Sequence, residues 1–216
     1  TPIFQTPTYA QPHLGGHKGY EYSRAQNPTR SALENNLAAL ENAKYCYTFG
    51  SGLAAIDAVM KLFRPGDEII AGGDLYGGTY WIFIKVFEVF GIKFNFVDMD
   101  EPEKIKSFIN RNTKLLWLET PTNPMMSIID IKGMVSIAKE NNLLIAVDNT
   151  FASPYLQNPL DLGADIVMHS VTKFLGGHSD VVMGALMCND EKLAERLYFA
   201  QCSTGAIPGP QDCFLV

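Results

Sequence analysis

The amino-acid sequence predicts an α/β protein built on a mainly parallel, seven-stranded sheet with helices on both faces. Short apolar runs typical of buried strands alternate with segments whose apolar residues recur at helical spacing. Strands joined by helices favour parallel pairing, since each crossover helix covers one face of the sheet. No linker, repeat or low-complexity segment divides residues 31–200, so residues 31–216 are predicted to form one large domain.

The individual elements follow from local pattern. Residues 1–30 are rich in Pro, Gly, Tyr and Thr without periodicity, which predicts an extended arm. Residues 31–42 form the first predicted helix, with Leu33, Leu37 and Leu40 on one face. Strands are predicted at residues 45–49, 68–71, 93–97, 114–119, 143–147, 164–169 and 181–187. Further helices are predicted at residues 53–63, 79–90, 102–110 and 131–140, and from about residue 190.

Composition excludes several classes of function. The 216 residues are 47% hydrophobic with a formal net charge of −6 and no Lys/Arg run, so nucleic acid is not an expected partner. The most apolar stretch, residues 81–90, contains Lys85 and Glu88 and is shorter than the ~20 apolar residues that span a bilayer. Four scattered cysteines without Cys-x-x-Cys spacing are typical of reduced thiols in a cytoplasmic protein.

Two further features set expectations about metals and about the ends of the chain. The four histidines share no ligand spacing, so no metal site is predicted. The chain begins at Thr1 instead of methionine and ends at Val216 inside an apolar stretch, which indicates a fragment.

The segment around Lys173 gives the strongest indication of chemistry. An apolar run at residues 164–168 precedes Ser170, Thr172 and Lys173, which would lie where the predicted strand leaves the sheet. A lysine that is held and partly desolvated there can lose its proton and form a Schiff base, and neighbouring hydroxyls can bind a phosphate. A surface lysine in a polar loop would have the same local sequence, so this segment alone leaves both interpretations open.

Other predicted strand ends carry polar side chains, and ligands of parallel sheets bind beyond these ends. Asp148 follows the run at residues 143–147. It could also be a turn carboxylate, or a magnesium ligand of a nucleotide hydrolase, although the required Gly-x-x-x-x-Gly-Lys-Ser/Thr loop is absent. Ser51, Gly52 and Leu53 open a helix, which suits phosphate binding by free N–H groups but is also a common N-cap.

Four more residues are candidates with plain structural alternatives. Tyr76 could stack on a flat cofactor ring, or it could be an ordinary tyrosine beside the Gly-Gly turn that follows it. Asn123 follows the strand at residues 114–119 and could reach the same crevice or lie in a simple turn. Tyr22 and Arg24 lie in the arm, where a planar guanidinium suits phosphate but also suits solvent.

Together these segments resemble the Cys/Met-metabolism family of pyridoxal-phosphate-dependent enzymes, which includes cystathionine γ-lyases, γ-synthases and β-lyases and methionine γ-lyases. The resemblance covers essentially the whole chain. The matching motifs are YSRAQNPTR at 22–30, SGLAA at 51–55, YGGT at 76–79, ETPTNP at 119–124, VDNTF at 147–151, SVTKF at 170–174 and GHSDVV at 177–182.

The resemblance implies a role for each candidate. Lys173 would bind pyridoxal 5'-phosphate covalently and act as the base, Asp148 would pair with the ring nitrogen, and Tyr76 would stack on the ring. Asn123 would contact the side of the phenolic oxygen. The phosphate would be held by Ser51, Gly52, Leu53, Ser170 and Thr172. Tyr22 and Arg24 would reach the phosphate of a neighbouring subunit, so residues 1–30 would form an intersubunit arm.

The resemblance also implies the fold of the aspartate-aminotransferase-like enzymes and a homotetramer of dimers with shared sites. Family members continue into a C-terminal domain, absent from this chain, with an arginine for the substrate carboxylate. Gly78 stands where methionine γ-lyases carry cysteine, and Glu21 resembles the γ-lyases. The expected reaction is γ-elimination of cystathionine. The alternatives are γ-replacement, by a cystathionine γ-synthase or an O-acetylhomoserine sulfhydrylase, and an inactive cofactor-binding fragment.

Overall fold

A seven-stranded sheet forms the core of the computed structural model, which describes residues 1–100 and 102–216. The strands are β1 (Tyr45–Phe49), β2 (Glu68–Gly72), β3 (Lys93–Val97), β4 (Thr113–Glu119), β5 (Leu144–Asp148), β6 (Ile166–Ser170) and β7 (Gly184–Cys188). The helices are α1 (Pro28–Leu40), α2 (Gly52–Met60), α3 (Gly77–Ile82), α4 (Pro102–Lys106), α5 (Ile131–Glu140), α6 (Ser153–Leu156), α7 (Glu191–Thr204) and α8 (Pro210–Leu215).

The strand order confirms the predicted mainly parallel sheet. The strands lie in the order β1-β7-β6-β5-β4-β2-β3, and β7 runs opposite to the other six. In the parallel part, Glu119 at the end of β4 is the register partner of Asp148 at the end of β5. Asp148 in turn pairs with Met168, two residues before β6 ends. The carboxyl ends of these strands therefore form one edge of the sheet.

Helices cover both faces of the sheet because its strands are apolar on both sides. On β4, Trp117 packs into the cluster beneath α2, α3 and α7, whereas Leu116 and Leu118 face the cluster under α5. This alternation follows the two-residue period of a strand. A third cluster joins α1 and α8 to β6 and β7. Each fully buried side chain of this size contributes about 1.5–3 kcal/mol.

Several predicted elements differ from the structure in extent. The first helix begins at Pro28 instead of residue 31, and the second ends at Met60 instead of residue 63. The helix predicted at 79–90 is α3 followed by a π-helical turn at Phe83–Phe87, a local widening that a 3.6-residue period does not reveal. The helix predicted at 102–110 ends at Lys106. The strand predicted at 181–187 begins only at Gly184, because the backbone of Met183 bonds to Thr172. The short helices α6 and α8 were not predicted.

The arm predicted at residues 1–30 has no helix or extended strand as far as residue 27, but residues 28–30 already belong to α1. Two side chains near the start of α1 organise residues 1–27. Asn27 caps α1 and donates through Nδ2 to the carbonyl of Phe4 at 2.9 Å. The guanidinium of buried Arg30 donates to the carbonyls of Ser23, Arg24 and Ala25. Within the described residues, no helix is both long and apolar enough to cross a bilayer.

Candidate functional site

A cavity of about 370 Å³ opens where β4, β5 and β6 end, as expected for a parallel sheet. Nine of the eleven predicted site residues line it; they are Ser51, Gly52, Leu53, Tyr76, Asn123, Asp148, Ser170, Thr172 and Lys173. The lining also includes residues that sequence reasoning missed, chiefly Glu119 and Thr150. One cavity therefore brings together the candidates that the sequence distributes over more than 120 positions.

The N-terminus of α2 forms an anion cradle in this cavity. Ser51 caps the helix by accepting the N–H of Ala54 at 3.0 Å, and the first-turn N–H groups of Gly52 and Leu53 have no intrahelical acceptor. Gly184 lies directly beneath, where an added Cβ would meet the Ser51 carbonyl oxygen at 2.3 Å. A Cβ on Gly52 would crowd Ser170 at 3.2 Å. The two glycines thus bring the positive end of the helix dipole close to Ser170, which suits a phosphate.

Asp148 ends β5 and is buried, with 6% of its surface exposed. Its Oδ1 accepts the Thr150 hydroxyl at 2.5 Å and the Thr150 N–H at 3.1 Å. Burial raises the pKa of Asp148, and the bonds from Thr150 and the nearby His169 oppose that shift. A cationic partner, such as a protonated ring nitrogen, would stabilise the ionised form of this buried carboxylate.

Thr150 connects the ends of two strands. Its hydroxyl donates to Asp148 and accepts the backbone N–H of Ser170 at 2.8 Å. The carboxylate at the end of β5 and the anion cradle beside β6 are therefore held relative to each other by one hydroxyl. The sequence signal was available, because Thr150 lies in the stretch VDNTF, but only its aspartate was singled out.

Behind this edge, a buried cluster supports the same strand ends. Glu41 accepts His169 Nε2 at 2.5 Å and Asn149 Nδ2 at 2.7 Å. His169 and Asn149 directly adjoin Ser170 and Asp148 in the chain. Glu41 and His169 are almost completely buried, so water does not compete for this contact. The contact therefore holds the ends of β5 and β6 in place.

Glu119 occupies the matching position at the end of β4. Its Oε2 accepts the backbone N–H of Tyr76, and its Oε1 accepts that of Asn123, both at 2.9 Å. Burial, and then the neighbouring charge of Asp148, raise the pKa of Glu119 to about 8. An acidic residue ending an apolar strand was the signal that could have found it, as it found Asp148.

Lys173 and Tyr76 lie at the mouth of the cavity. Lys173 is exposed in the turn after β6, and its amine forms no hydrogen bond or ion pair with the described residues. The Tyr76 ring is 48% exposed and rests above Gly78, where an added Cβ would meet ring atom Cε1 at 2.4 Å. Thr172 also lines the cavity, although its hydroxyl accepts the N–H of Met183 at 2.9 Å.

Tyr22 and Arg24 lie outside this cavity within the single chain. The guanidinium of Arg24 donates to the Cys202 carbonyl at 2.6 Å and lies 5.4 Å from the centroid of the Tyr22 ring. Both side chains are exposed. A role for them in binding a phosphate would need a second copy of the chain, and it stays a prediction.

Comparison with known proteins decides the family. A model described as Cys/Met metabolism PLP-dependent enzyme matches residues 1–216. The chain belongs to this family. It is 53% identical to a probable cystathionine γ-synthase from Herpetosiphon aurantiacus and 52% identical to a cystathionine γ-lyase from Bacillus subtilis. It is also 52% identical to a cystathionine β-lyase from Lactococcus lactis subsp. cremoris. All three alignments cover the whole chain, but 67%, 57% and 57% of the respective relatives.

Solved structures of the family share the fold. The crystal structure of metB from Corynebacterium glutamicum matches with a TM-score of 0.98 at 48% identity, covering 100% of this chain and 56% of that one. A cystathionine γ-synthase from Xanthomonas oryzae pv. oryzae, in complex with aminoacrylate and cysteine, matches with a TM-score of 0.96 at 36% identity, covering 99% and 56%. The predicted fold class is confirmed, and the chain spans little more than half of these structures.

Pyridoxal phosphate, the predicted cofactor, is the cofactor of this PLP-dependent family. The cavity fits this group because it offers a cradle for an anion, a buried carboxylate, an exposed aromatic ring and an unpaired amine. The amine and the carboxylate belong to Lys173 and Asp148, two of the candidate residues named from the sequence. Their individual roles are taken up as proposals.

Proposed function

We propose that this chain is the cofactor-binding part of an enzyme that cleaves cystathionine by γ-elimination. With one water, the reaction gives cysteine, 2-oxobutanoate and ammonia. The observation that carries the proposal is the single cavity in which Lys173, Asp148 and the anion cradle meet. Enzymes of sulfur amino-acid metabolism are also the relatives to which the whole chain aligns.

Lys173 would carry the cofactor and move the proton. Its Nζ has no hydrogen-bond or ion-pair partner in the described residues, so it would be available to hold the aldehyde end of pyridoxal phosphate and to become a free amine again once substrate is bound. When bound, the cofactor withdraws electrons from the substrate carbon atoms. The released Nζ would then accept the Cα proton as a general base.

The other lining residues would bind and orient. The N–H groups of Gly52 and Leu53, with the hydroxyls of Ser51 and Ser170, would hold the phosphate, and Thr172 would complete that end of the cavity. Asp148 would keep the proton on the ring nitrogen. Tyr76 would stack on the ring, and the side-chain amide of Asn123 would contact its phenolic oxygen side. These assignments rest on the family resemblance together with the positions of the residues.

Tyr22 and Arg24 would act across a subunit boundary in a cytoplasmic homotetramer built from dimers. The support is their exposure on an arm that lies outside the cavity of its own chain. Full-length Arg24→Ala and Lys173→Ala proteins should each be inactive, whereas co-refolded mixtures should regain activity. In a hybrid dimer with shared sites, one site carries neither substitution. Hybrids that form but show no turnover would disprove the exchange of Arg24 between subunits.

The second candidate function is γ-replacement, in which cysteine captures the substrate carbon skeleton to give cystathionine. It is supported by relatives named cystathionine γ-synthase. Glu21 resembles the γ-lyases and favours the lyase over the synthase, and Gly78 argues against a methionine γ-lyase. A fragment that binds cofactor without turnover is the remaining alternative.

Comparing kcat/KM of the full-length protein for two substrate sets tests the choice, since specificity is a ratio of these values. One set is cystathionine alone, and the other is an activated homoserine ester with cysteine. We expect 2-oxobutanoate from cystathionine at the higher kcat/KM, and no product with Lys173→Ala. A large preference for the ester with cysteine would replace the lyase with a synthase.

A further inference from the structure

We propose that Glu119 is a positioning residue that fixes Tyr76 and Asn123 relative to each other and to Asp148. The proposal rests on the proposed function, in which Tyr76 and Asn123 contact the cofactor. Glu119 itself would act through these two residues.

The geometry assigns one oxygen of the carboxylate to each neighbour. Oε2 accepts the N–H of Tyr76 and Oε1 accepts the N–H of Asn123, both at 2.9 Å. Tyr76 follows β2, whereas Asn123 follows β4, so the carboxylate joins two loops. Its bond to Tyr76 spans 43 positions of the chain. Because Glu119 is only 6% exposed, water competes little for these bonds.

The Tyr76 ring has little else to hold it. It is 48% exposed, and it precedes α3 without a side-chain cap. The Tyr76 carbonyl accepts the N–H groups of Thr79 and Tyr80 at the start of α3, and its own N–H is bonded to Glu119. The Glu119 bond therefore fixes Tyr76 relative to the end of β4, and Gly78 leaves room for the ring. The side-chain amide of Asn123 likewise forms no hydrogen bond with the described residues, so only its backbone is anchored. Loss of the Glu119 carboxylate would therefore detach both loops from the end of β4 at the same time.

The adjacent strand supplies the third reference point. Glu119 and Asp148 are register partners at the ends of β4 and β5, and both line the cavity. The adjacent ends of β4 and β5 would therefore set the position of all three residues that contact the cofactor: Asp148 directly, and Tyr76 and Asn123 through Glu119. Pairs of rigid elements position a site more precisely than loops do.

The affinity of full-length apoprotein for pyridoxal phosphate, measured by absorbance titration, tests the proposal. Glu119→Gln keeps the shape but places an NH₂ group against one N–H, and we expect roughly tenfold weaker binding. Glu119→Asp keeps a carboxyl group with a shorter reach, and its affinity should fall between those of wild type and Glu119→Gln. Glu68→Gln is the matched control, because buried Glu68 also accepts amide N–H bonds but lies at the opposite end of the sheet. It should bind like wild type.

A double-mutant cycle separates positioning from general stability. In a background of Tyr76→Ala with Asn123→Ala, the Glu119→Gln penalty on cofactor affinity should largely disappear, since nothing remains to be positioned. A penalty of equal size in both backgrounds, or wild-type affinity in Glu119→Gln, overturns the proposal. If Glu119→Gln does not fold, Glu119→Asp is carried through the same cycle. Wild type that binds cofactor but prefers another substrate overturns the proposed reaction and leaves this test intact.

Discussion

Replacing Thr150 with valine removes one hydroxyl that serves two strand ends. The hydroxyl donates to Asp148 at 2.5 Å and accepts the Ser170 N–H at 2.8 Å, so Thr150→Val deletes both bonds while keeping the volume of the side chain. Asp148 retains the backbone N–H of residue 150 at 3.1 Å. The Asp148 carboxylate is therefore held less firmly, but one of its two hydrogen bonds to residue 150 remains.

The expected loss follows from the two bonds. A hydrogen bond to a charged group contributes about 1.5–3 kcal/mol, and a buried N–H left without an acceptor costs about 1–3 kcal/mol. Burial already raises the pKa of Asp148, and loss of the Thr150 bond raises it further, so some of the cost is relieved by protonation. We expect a decrease of about 2–4 kcal/mol in the free energy of unfolding. Affinity for pyridoxal phosphate should fall by about 10- to 100-fold, or 1.4–2.8 kcal/mol.

Two assays and one matched control test this expectation. Chemical denaturation reports stability, and absorbance titration of the apoprotein reports cofactor affinity. Thr79→Val is the control, because Thr79 is fully buried while its hydroxyl has no hydrogen-bond partner in the described residues. It should leave stability unchanged or raise it, and Thr150→Ser should restore most of the lost affinity. Equal losses in Thr150→Val and Thr79→Val would refute the argument from the two bonds.

Two further predictions concern the charge of Glu119 and the anion cradle. Burial and Asp148 raise the pKa of Glu119 from 4.5 to about 8. Between these two pH values the folded protein holds a proton on Glu119 that the unfolded protein has lost, so the free energy of unfolding decreases as the pH rises. Stability of wild type relative to Glu119→Gln should fall from pH 5 to 8, by at most ~1.4 kcal/mol per pH unit, and a constant or rising difference in denaturation experiments would contradict this. Gly184→Ala places a Cβ 2.3 Å from the Ser51 carbonyl oxygen and should weaken binding of pyridoxal phosphate. Unchanged affinity of Gly184→Ala in an absorbance titration would contradict this prediction, because it would show that the N-terminus of α2 can shift without loss of cofactor binding.

Much of the fold was predictable because its strands are buried on both faces. Continuous apolar runs such as residues 143–147 need no tertiary information to be recognised, and parallel pairing brings their carboxyl ends together. For that reason Asp148 and Lys173 could be assigned to one crevice before any coordinates. The start of β7 could not be predicted, since the backbone of Met183 is bound by the side chain of Thr172.

The supporting residues of the site were missed for a different reason. Glu119 and Thr150 stand in recognisable positions after two strands, but they act through hydrogen bonds to backbone N–H groups. The sequence does not show which backbone groups those are. Glu41 is a clearer case, because it reaches Asn149 and His169 from more than 100 positions away. A chemically reactive residue can be recognised from the short sequence around it, whereas the residues that position it are identified only by tertiary contacts.

The ionisable residues that line the cavity suit binding of the cofactor, but they do not account for the choice of substrate. Among the described residues, its charged side chains are Glu119, Asp148 and Lys173, and each is engaged by the proposed cofactor site or its support. Under the proposed function, this lining would offer a substrate carboxylate no further cation. Relatives named for γ-elimination and for β-elimination are equally similar to this chain. That equality is expected if this region supplies the shared cofactor chemistry, while the choice between reactions depends on groups that enter the cavity from elsewhere.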